Sequence, residues 1–403
     1  MEVKSADPVP NAAHNRLTSS VHPGNMRPTH VYHMPTESLA IRRIEFWPID
    51  VPMTDPFVVA TGVRLTAENV FVRVTLSSGV QGYGEAAPFP EVGGETRDSC
   101  LNALKRLAEL ALTERVDCFI HLAGILKDDQ PHQPAARCGL ETAVVDAYCR
   151  CLGIPMWKLW GGADVRKRES DITIPICDMG KTIDLGRRWY GRGFRLFKMK
   201  VGKDVEEDIR RVEALHRALR GIAFIGDGNQ GFTRDECSAF VKGVKRFGGV
   251  LTLLEQPLPR NDLEGLAAVR RDTGIPVAAD ESVRSLDDAH NVVTNRAADF
   301  INIKIMKTGL VEAREIAAYT LSSGLRLMVG GMVETRVAMG CSFSLVLGIK
   351  GFEILDLDTP LLLANDPVMG GYRYEDAELA PWHASGLDLS VKPSQTATVI
   401  ERE

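Results

Sequence analysis

Eight short apolar runs, each followed by a helix-like segment, limit what this chain can fold into more than any other feature of its sequence. They span 172–176, 196–201, 223–227, 251–255, 277–280, 300–304, 326–330 and 352–356. Their spacing of roughly 25 residues is the period of a β/α repeat rather than of a helical solenoid. Eight such units closing on themselves form a barrel, the simplest architecture for the pattern. All C-terminal strand ends of a barrel meet at one face, so residues far apart in sequence converge there.

The segment before the repeats reads differently. Stretches 41–52 and 70–77 alternate as strands, and the second passes through Ser78-Gly79 into a third at 80–85, as a hairpin would. Residues 55–68 and 86–95, punctuated by Pro and Gly, read as loops suited to covering a site. Apolar residues at three- and four-residue spacing predict helices over 97–112 and 135–152. The expected organisation is a tail at 1–37, an α+β capping domain at 38–165 completed by residues from about 365 to 403, and a barrel at 166–364. The tail is rich in Pro, His, Asn, Ser and Thr and is expected to be disordered. Its stretch 8–36 lacks acids and carries Arg16 and Arg27, which leaves organellar targeting open beside a cytoplasmic location.

Composition excludes several classes. With 44% hydrophobic and 25% charged residues and a net charge of −5, the chain is ordinary for a globular protein and has no basic cluster for nucleic acid. No run approaches the roughly 18 apolar residues of a membrane span. The eight cysteines include no CxxC pair and read as reduced thiols. The expected partners are a small-molecule substrate and further copies of the chain in a homo-oligomer.

The run G-F-R-L-F-K-M-K-V-G at 193–202 carries two lysines where a buried strand should be apolar. Side chains two apart on a strand point the same way, so Lys198 and Lys200 present two ammonium groups to one place. Mutual repulsion and desolvation are expected to lower their pKa values toward those of useful bases. Other strand ends supply Asp227, Glu255, Asp280, Lys304, Asp356 and Asp358. Carboxylates from three consecutive strands can hold a hard divalent cation and leave positions for water and substrate. Taken singly, Asp227 in G-D-G-N-Q-G is an ordinary turn residue, Glu255 a strand end and Asp280 a helix cap. The same Gly226, Gly228 and Gly231 also match a dinucleotide fingerprint, although an Asp beside the first glycine would repel a pyrophosphate. Their recurrence in register on successive repeats favours the metal.

This order of residues resembles the enolase superfamily, and within it the muconate-lactonizing-enzyme subgroup. The likeness rests on K-M-K at 198–200, D-G-N at 227–229, E-Q-P at 255–257, A-D-E-S at 279–282 and I-K at 303–304, and runs from about Ser38 to the end. The resemblance implies an α/β fold, a modified TIM barrel (β/α)7β with an α+β capping domain. It implies magnesium, with manganese as an alternative, at Asp227, Glu255 and Asp280, and acid/base lysines at Lys200 and Lys304 with Lys198 beside them. The segment F-E-I-L-D-L-D-T-P-L at 352–361 is similar to that of dipeptide epimerases, implying that Asp356 and Asp358 grip the substrate's α-ammonium group. By the same likeness Thr173, Gly331 and Met332 line the pocket, and Arg64 is a candidate for binding an acidic substrate side chain, as in Ala-Glu. The expected activity is inversion of the α-carbon next to the C-terminal carboxylate by proton transfer between two lysines. N-acylamino acid racemases, o-succinylbenzoate synthases and cycloisomerases share the apparatus, but their substrates lack a free ammonium group. A Schiff-base aldolase or a binding protein on an inherited barrel leaves the carboxylates, or the intact lysines, without a task.

Overall fold

The structure, a computed structural model, describes residues 36–402, and the tail expected at 1–37 lies almost wholly outside them. The N-terminal unit is built on a long hairpin, β1 (Ile41–Val59) and β2 (Gly62–Leu76), followed by β3 (Gln81–Ala86). Three helices cover it, α1 (Arg97–Ala111), α2 (Phe119–Asp129) and α3 (Pro134–Leu152). The first starts on a reciprocal cap in which Thr96 and Ser99 satisfy each other's backbone N–H. The last is buried nearly all round, because it lies between the sheet and the barrel.

The stretch 55–68 is not the loop its Pro and Asp residues predict. Pairing of β1 with β2 continues from Phe57↔Arg64 to Val59↔Gly62, past an irregularity between Pro52 and Phe57. On its other side β1 forms a ladder, among the described residues, at Arg43–Phe46 with the C-terminal strand, and one isolated bridge from Met53 to Leu363. Beyond that point it is an edge strand, and an edge tolerates the missing N–H of Pro48, Pro52 and Pro56. Asp55, near the tip, is tied to Arg188 at 2.8 Å, which docks the hairpin on the barrel. The stretch 86–95 remains largely irregular, with one helical turn at Pro90–Gly93.

Eight parallel strands follow, β4 (Ile172–Ile174), β5 (Leu196–Lys200), β6 (Ala223–Asp227), β7 (Leu251–Glu255), β8 (Val277–Ala279), β9 (Phe300–Ile303), β10 (Arg326–Val329) and β11 (Phe352–Leu355), in that spatial order. Seven helices connect them, α4 (Met179–Gly191), α5 (Val205–Ala218), α6 (Arg234–Arg246), α7 (Leu263–Thr273), α8 (Leu286–Thr294), α9 (Leu310–Ser322) and α10 (Arg336–Gly348). This is the expected (β/α)7β barrel. The first strand is shorter than its apolar run because Pro175 has no N–H to continue the ladder. At the seam, Asp171 N donates to Leu355 O at 2.8 Å and Ser170 Oγ to the same carbonyl at 3.2 Å. The chain returns to the cap as β12 (Thr398–Glu401), which pairs with β1.

Strand periodicity sets the layering inside the barrel. Ile225, Leu253, Ala278, Phe300 and Met328 form a small interior apolar cluster. Asp227, Glu255, Asp280, Asn302 and Gly330 lie two residues further along the same strands, hence on the same face and one layer nearer the C-terminal mouth. The apolar layer seals the charged one from below. Glu85 on β3 locks the cap over the mouth, accepting from Thr335 N at 2.9 Å, Thr335 Oγ1 at 2.7 Å and Ala338 N at 3.0 Å, all at the start of α10.

Candidate active site

Seven buried acids, Asp171, Asp227, Glu255, Asp280, Glu281, Asp356 and Asp358, face four buried lysines, Lys198, Lys200, Lys304 and Lys307. Burying a charge without a partner costs several kcal/mol, so each lysine is committed to carboxylates. Lys198 reaches Asp356 Oδ2 at 2.6 Å, Glu255 Oε2 at 2.8 Å and Asp227 Oδ2 at 3.1 Å. Lys200 donates to Asp227 Oδ2 at 2.6 Å and Asn229 Oδ1 at 3.2 Å. From the opposite strands Lys304 meets Asp280 Oδ2 at 2.7 Å. The order follows from the ladder, where Lys200 is registered with Asp227 and Asp227 with Glu255.

These pairings overturn the expected depression of the Lys198 pKa. Burial opposes the charge on Lys198, but Asp356, Glu255 and Asp227 outweigh it, and its ammonium is held well above the ordinary lysine value. Lys304 is pushed up in the same way, burial being overcome by Asp280. Asp227 is held down at about 2, because Lys200 and Lys198 outweigh its burial. Glu255 goes up to about 7, from burial and the neighbouring Asp227 charge.

Asp227, Glu255 and Asp280 are the hard oxygen donors a divalent cation takes, on neighbouring strand ends, and they fit one by their chemistry. Here they are paired with Lys198, Lys200, Lys304 and Lys307. Among the described residues the one group of acids with an oxygen from each within 4.8 Å of the others is Asp171, Asp356 and Asp358. Two supports of the predicted ligands escaped the sequence reading. Asn302 Nδ2 donates to Glu255 Oε1 at 2.8 Å, and Lys307 Nζ donates to Asp280 Oδ1 at 2.7 Å and Asp280 O at 2.6 Å. The only signal for Lys307 was a second lysine one turn after Lys304. Glu281 accepts from Asn229 Nδ2 at 3.3 Å and so places the Asn229 oxygen that accepts from Lys200.

The glycines of G-D-G-N-Q-G serve packing at the barrel mouth. A Cβ on Gly228 would lie 2.7 Å from Pro257 Cα, and one on Gly231 2.4 Å from Gly202 O. Neighbouring Asn229 and Gln230 have φ of 40° and 69°, in the left-handed region. The dinucleotide reading of these glycines therefore has no structural counterpart.

One cavity opens among these groups. Lys200, Lys304, Asp280, Asp356, Thr173, Gly331 and Met332 line it, and the hairpin and loop add Phe57, Val59, Phe89 and Val92. Asp358 sits behind Thr173, whose N–H it accepts at 2.6 Å. Burial, and then the Asp356 charge, push its carboxyl up to about 7. Arg64 is not among the lining residues. Its guanidinium pairs with Glu91 and stacks on Phe89, 4.6 Å from the ring centroid.

A (β/α)7β barrel with lysines on opposing strands and acids on the strands between is the apparatus of enzymes that take a proton from carbon beside a carboxylate. Residues 181–395 match the enolase C-terminal domain-like family and residues 43–161 the N-terminal domain of the mandelate racemase/muconate lactonizing enzymes. The chain belongs to this branch of the enolase superfamily, and it is an isomerase. It is 40% identical to an aromatic dipeptide epimerase of Herpetosiphon aurantiacus, over 89% of this chain and 100% of that protein. A dipeptide epimerase from Enterococcus faecalis, solved with Mg and the dipeptide L-Leu-L-Tyr, superposes with a TM-score of 0.84 at 28% identity, over 87% of this chain and 99% of that one. An N-succinyl-L-Arg/Lys racemase of Bacillus cereus is 29% identical over 90% of this chain and 99% of its own length.

Proposed function

We propose that this protein is a magnesium-dependent dipeptide epimerase acting on peptides whose C-terminal residue is apolar. The observation that carries the reading is the placement of Lys200 and Lys304 on one cavity that also holds Asp356. A divalent cation at Asp227, Glu255 and Asp280 would, when bound, stabilise the negative charge that builds on a substrate carboxylate. Lys200 and Lys304 reach the cavity from strands β5 and β9, on opposing sides of the ring. One removes the α-proton from one face and the other delivers a proton to the opposite face, so configuration inverts. Lys198 stays charged among Asp227, Glu255 and Asp356 and acts as a fixed positive partner for the reacting carboxylate.

The acids at the far end set the distinction from an N-acyl racemase. Asp356 and Asp358 offer carboxylate oxygens to a cation, whereas an acylated nitrogen brings no positive charge. The walls that would meet side chains are apolar, with Phe57, Val59, Phe89, Val92, Met332 and Val333 around the cavity. An adjoining apolar pocket shares Phe57 and Thr173 and is lined by Met53, Leu185, Trp189 and Leu362. Arg64 is neutralised by Glu91, and the cations among the described residues lining the cavity, Lys200 and Lys304, are paired with Asp227 and Asp280, which favours an apolar side chain over a glutamyl one.

The test incubates the protein and MgCl2 with L,L-dipeptides and N-succinyl amino acids in deuterium oxide, with deuterium uptake read by mass spectrometry. Uptake into dipeptides with C-terminal Phe, Leu or Met, ahead of Ala-Glu, is expected. Uptake confined to the N-succinyl compounds would replace the reading with the racemase.

A further inference from the structure

Asp171, which the sequence reading did not single out, carries both carboxylate oxygens without a hydrogen-bond partner while only 1% of the residue is exposed. A buried carboxylate in that state is costly and calls for a missing donor. Its position is fixed, since its backbone N–H closes the barrel seam to Leu355 O at 2.8 Å. Asp358 Oδ1 is likewise buried without a partner, its Oδ2 being occupied by the Thr173 N–H. The third member, Asp356, spends Oδ2 on Lys198 at 2.6 Å and lines the substrate cavity.

We infer that Asp171 completes a three-acceptor receptor for a primary ammonium group, one oxygen coming from each of Asp171, Asp356 and Asp358. This rests on the dipeptide reading above and deepens it by fixing the class of amine. An ammonium donates three hydrogen bonds in tetrahedral directions, so acceptors about 2.8 Å from the nitrogen stand about 4.6 Å from one another. The three acids present one oxygen each, all within 4.8 Å of one another. One oxygen from each of two carboxylates would leave one N–H of a buried ammonium unsatisfied. With the third, the site distinguishes a primary ammonium from a secondary one, which has only two N–H donors and a methyl group in the place of the other.

The test compares calorimetric binding of L-Ala-L-Phe and N-methyl-L-Ala-L-Phe to the Mg-loaded full chain, its Asp171→Asn and Asp171→Ala variants, and separately titrates Mg²⁺. The wild type should prefer the primary amine by about tenfold or more, the scale of one hydrogen bond to a charged group. Both variants should lose most of that preference, Asp171→Ala further because it makes room for the methyl group, while Mg²⁺ affinity stays within about twofold of wild type. Should Asp171→Ala not fold, Asp171→Asn is read on the same ratio. A preference unchanged in the variants overturns the inference, as does a variant that loses Mg²⁺, which would make the three acids the metal site. Turnover of the same peptides separates the two claims. Asp171-dependent amine preference without epimerisation sinks the proposed function alone, whereas epimerisation with no Asp171 dependence sinks this inference alone.

Discussion

The ammonium of Lys307 lies 2.7 Å from Asp280 Oδ1 and 2.6 Å from the carbonyl oxygen of the same residue, and its third proton goes to Asn302 O at 3.0 Å. All its donors are spent, so it is a fixed clamp that leaves Asp280 Oδ2 as the oxygen free to change partners, from Lys304 to a metal. Lys307→Met, close in length and shape, should weaken Mg²⁺ binding about tenfold or more, the usual effect of removing a group that orients a ligand. Titration calorimetry on the folded variant decides this, and an unchanged affinity would remove Lys307 from any role at the metal.

Lys200→Ala and Lys304→Ala should each lower epimerisation by roughly 10²-fold to 10⁴-fold, the contribution of a positioned acid or base. Each variant keeps one lysine, so each should still exchange the α-hydrogen of one epimer with solvent, and the two should retain opposite epimers. NMR of L,L- and L,D-peptides in deuterium oxide reads both. Epimerisation in both directions by either single variant would reject the two-base assignment.

Arg64→Ala should leave turnover of apolar dipeptides within about threefold and should not change the rank of Ala-Glu. Its charge is spent on Glu91, and exposed pairs of that kind contribute about 0–1 kcal/mol. A selective loss of Ala-Glu activity by more than about tenfold would restore Arg64 as a specificity residue.

Glu141 of α3 accepts from Val311 N at 3.0 Å and thereby caps α9. Burial raises its carboxyl from 4.5 to about 7 against the pull of that hydrogen bond. The folded state therefore holds a proton that the unfolded chain has already released above pH 4.5, and stability from this group falls as pH rises from about 4.5 to 7. Glu141→Gln mimics the protonated form and removes the dependence. Wild type should lose about 3 kcal/mol relative to the variant across that window, at 1.36 kcal/mol per pKa unit. Denaturant melts at pH 4 and pH 8, which bracket that window, measure the difference, and parallel behaviour of the two proteins would show Glu141 to be ionised throughout.

Glu85→Ala should destabilise the protein by about 3 kcal/mol or more, since it strands buried donors of Thr335 and Ala338 at the start of α10. A chemical melt is the measurement. A loss below about 1 kcal/mol would mean that water replaces the carboxylate and that the cap is held by other contacts.

What the sequence determined by itself is the repeat and its chemistry. An apolar run that ends in Asp227, Glu255 or Lys304 is a local pattern, and the ring geometry of a barrel turns eight such local patterns into one site. Lys200, Lys304, Asp356, Thr173, Gly331 and Met332 reached the cavity for that reason. Tertiary structure alone decided the rest, because those properties depend on partners distant in the chain. Pro48, Pro52 and Pro56 look like strand breakers until β1 proves to be an edge, which turns the expected loop at 55–68 into a hairpin. The rise of the Lys198 pKa, where two neighbouring lysines suggested a fall, comes from Asp356, 158 residues away, and from Glu255. Asp171 and Lys307 stand in ordinary sequence surroundings. They gain meaning only from the oxygens and ammonium groups that folding brings within 3 to 5 Å of them, a range over which electrostatic energies in a low-dielectric interior outweigh any local propensity.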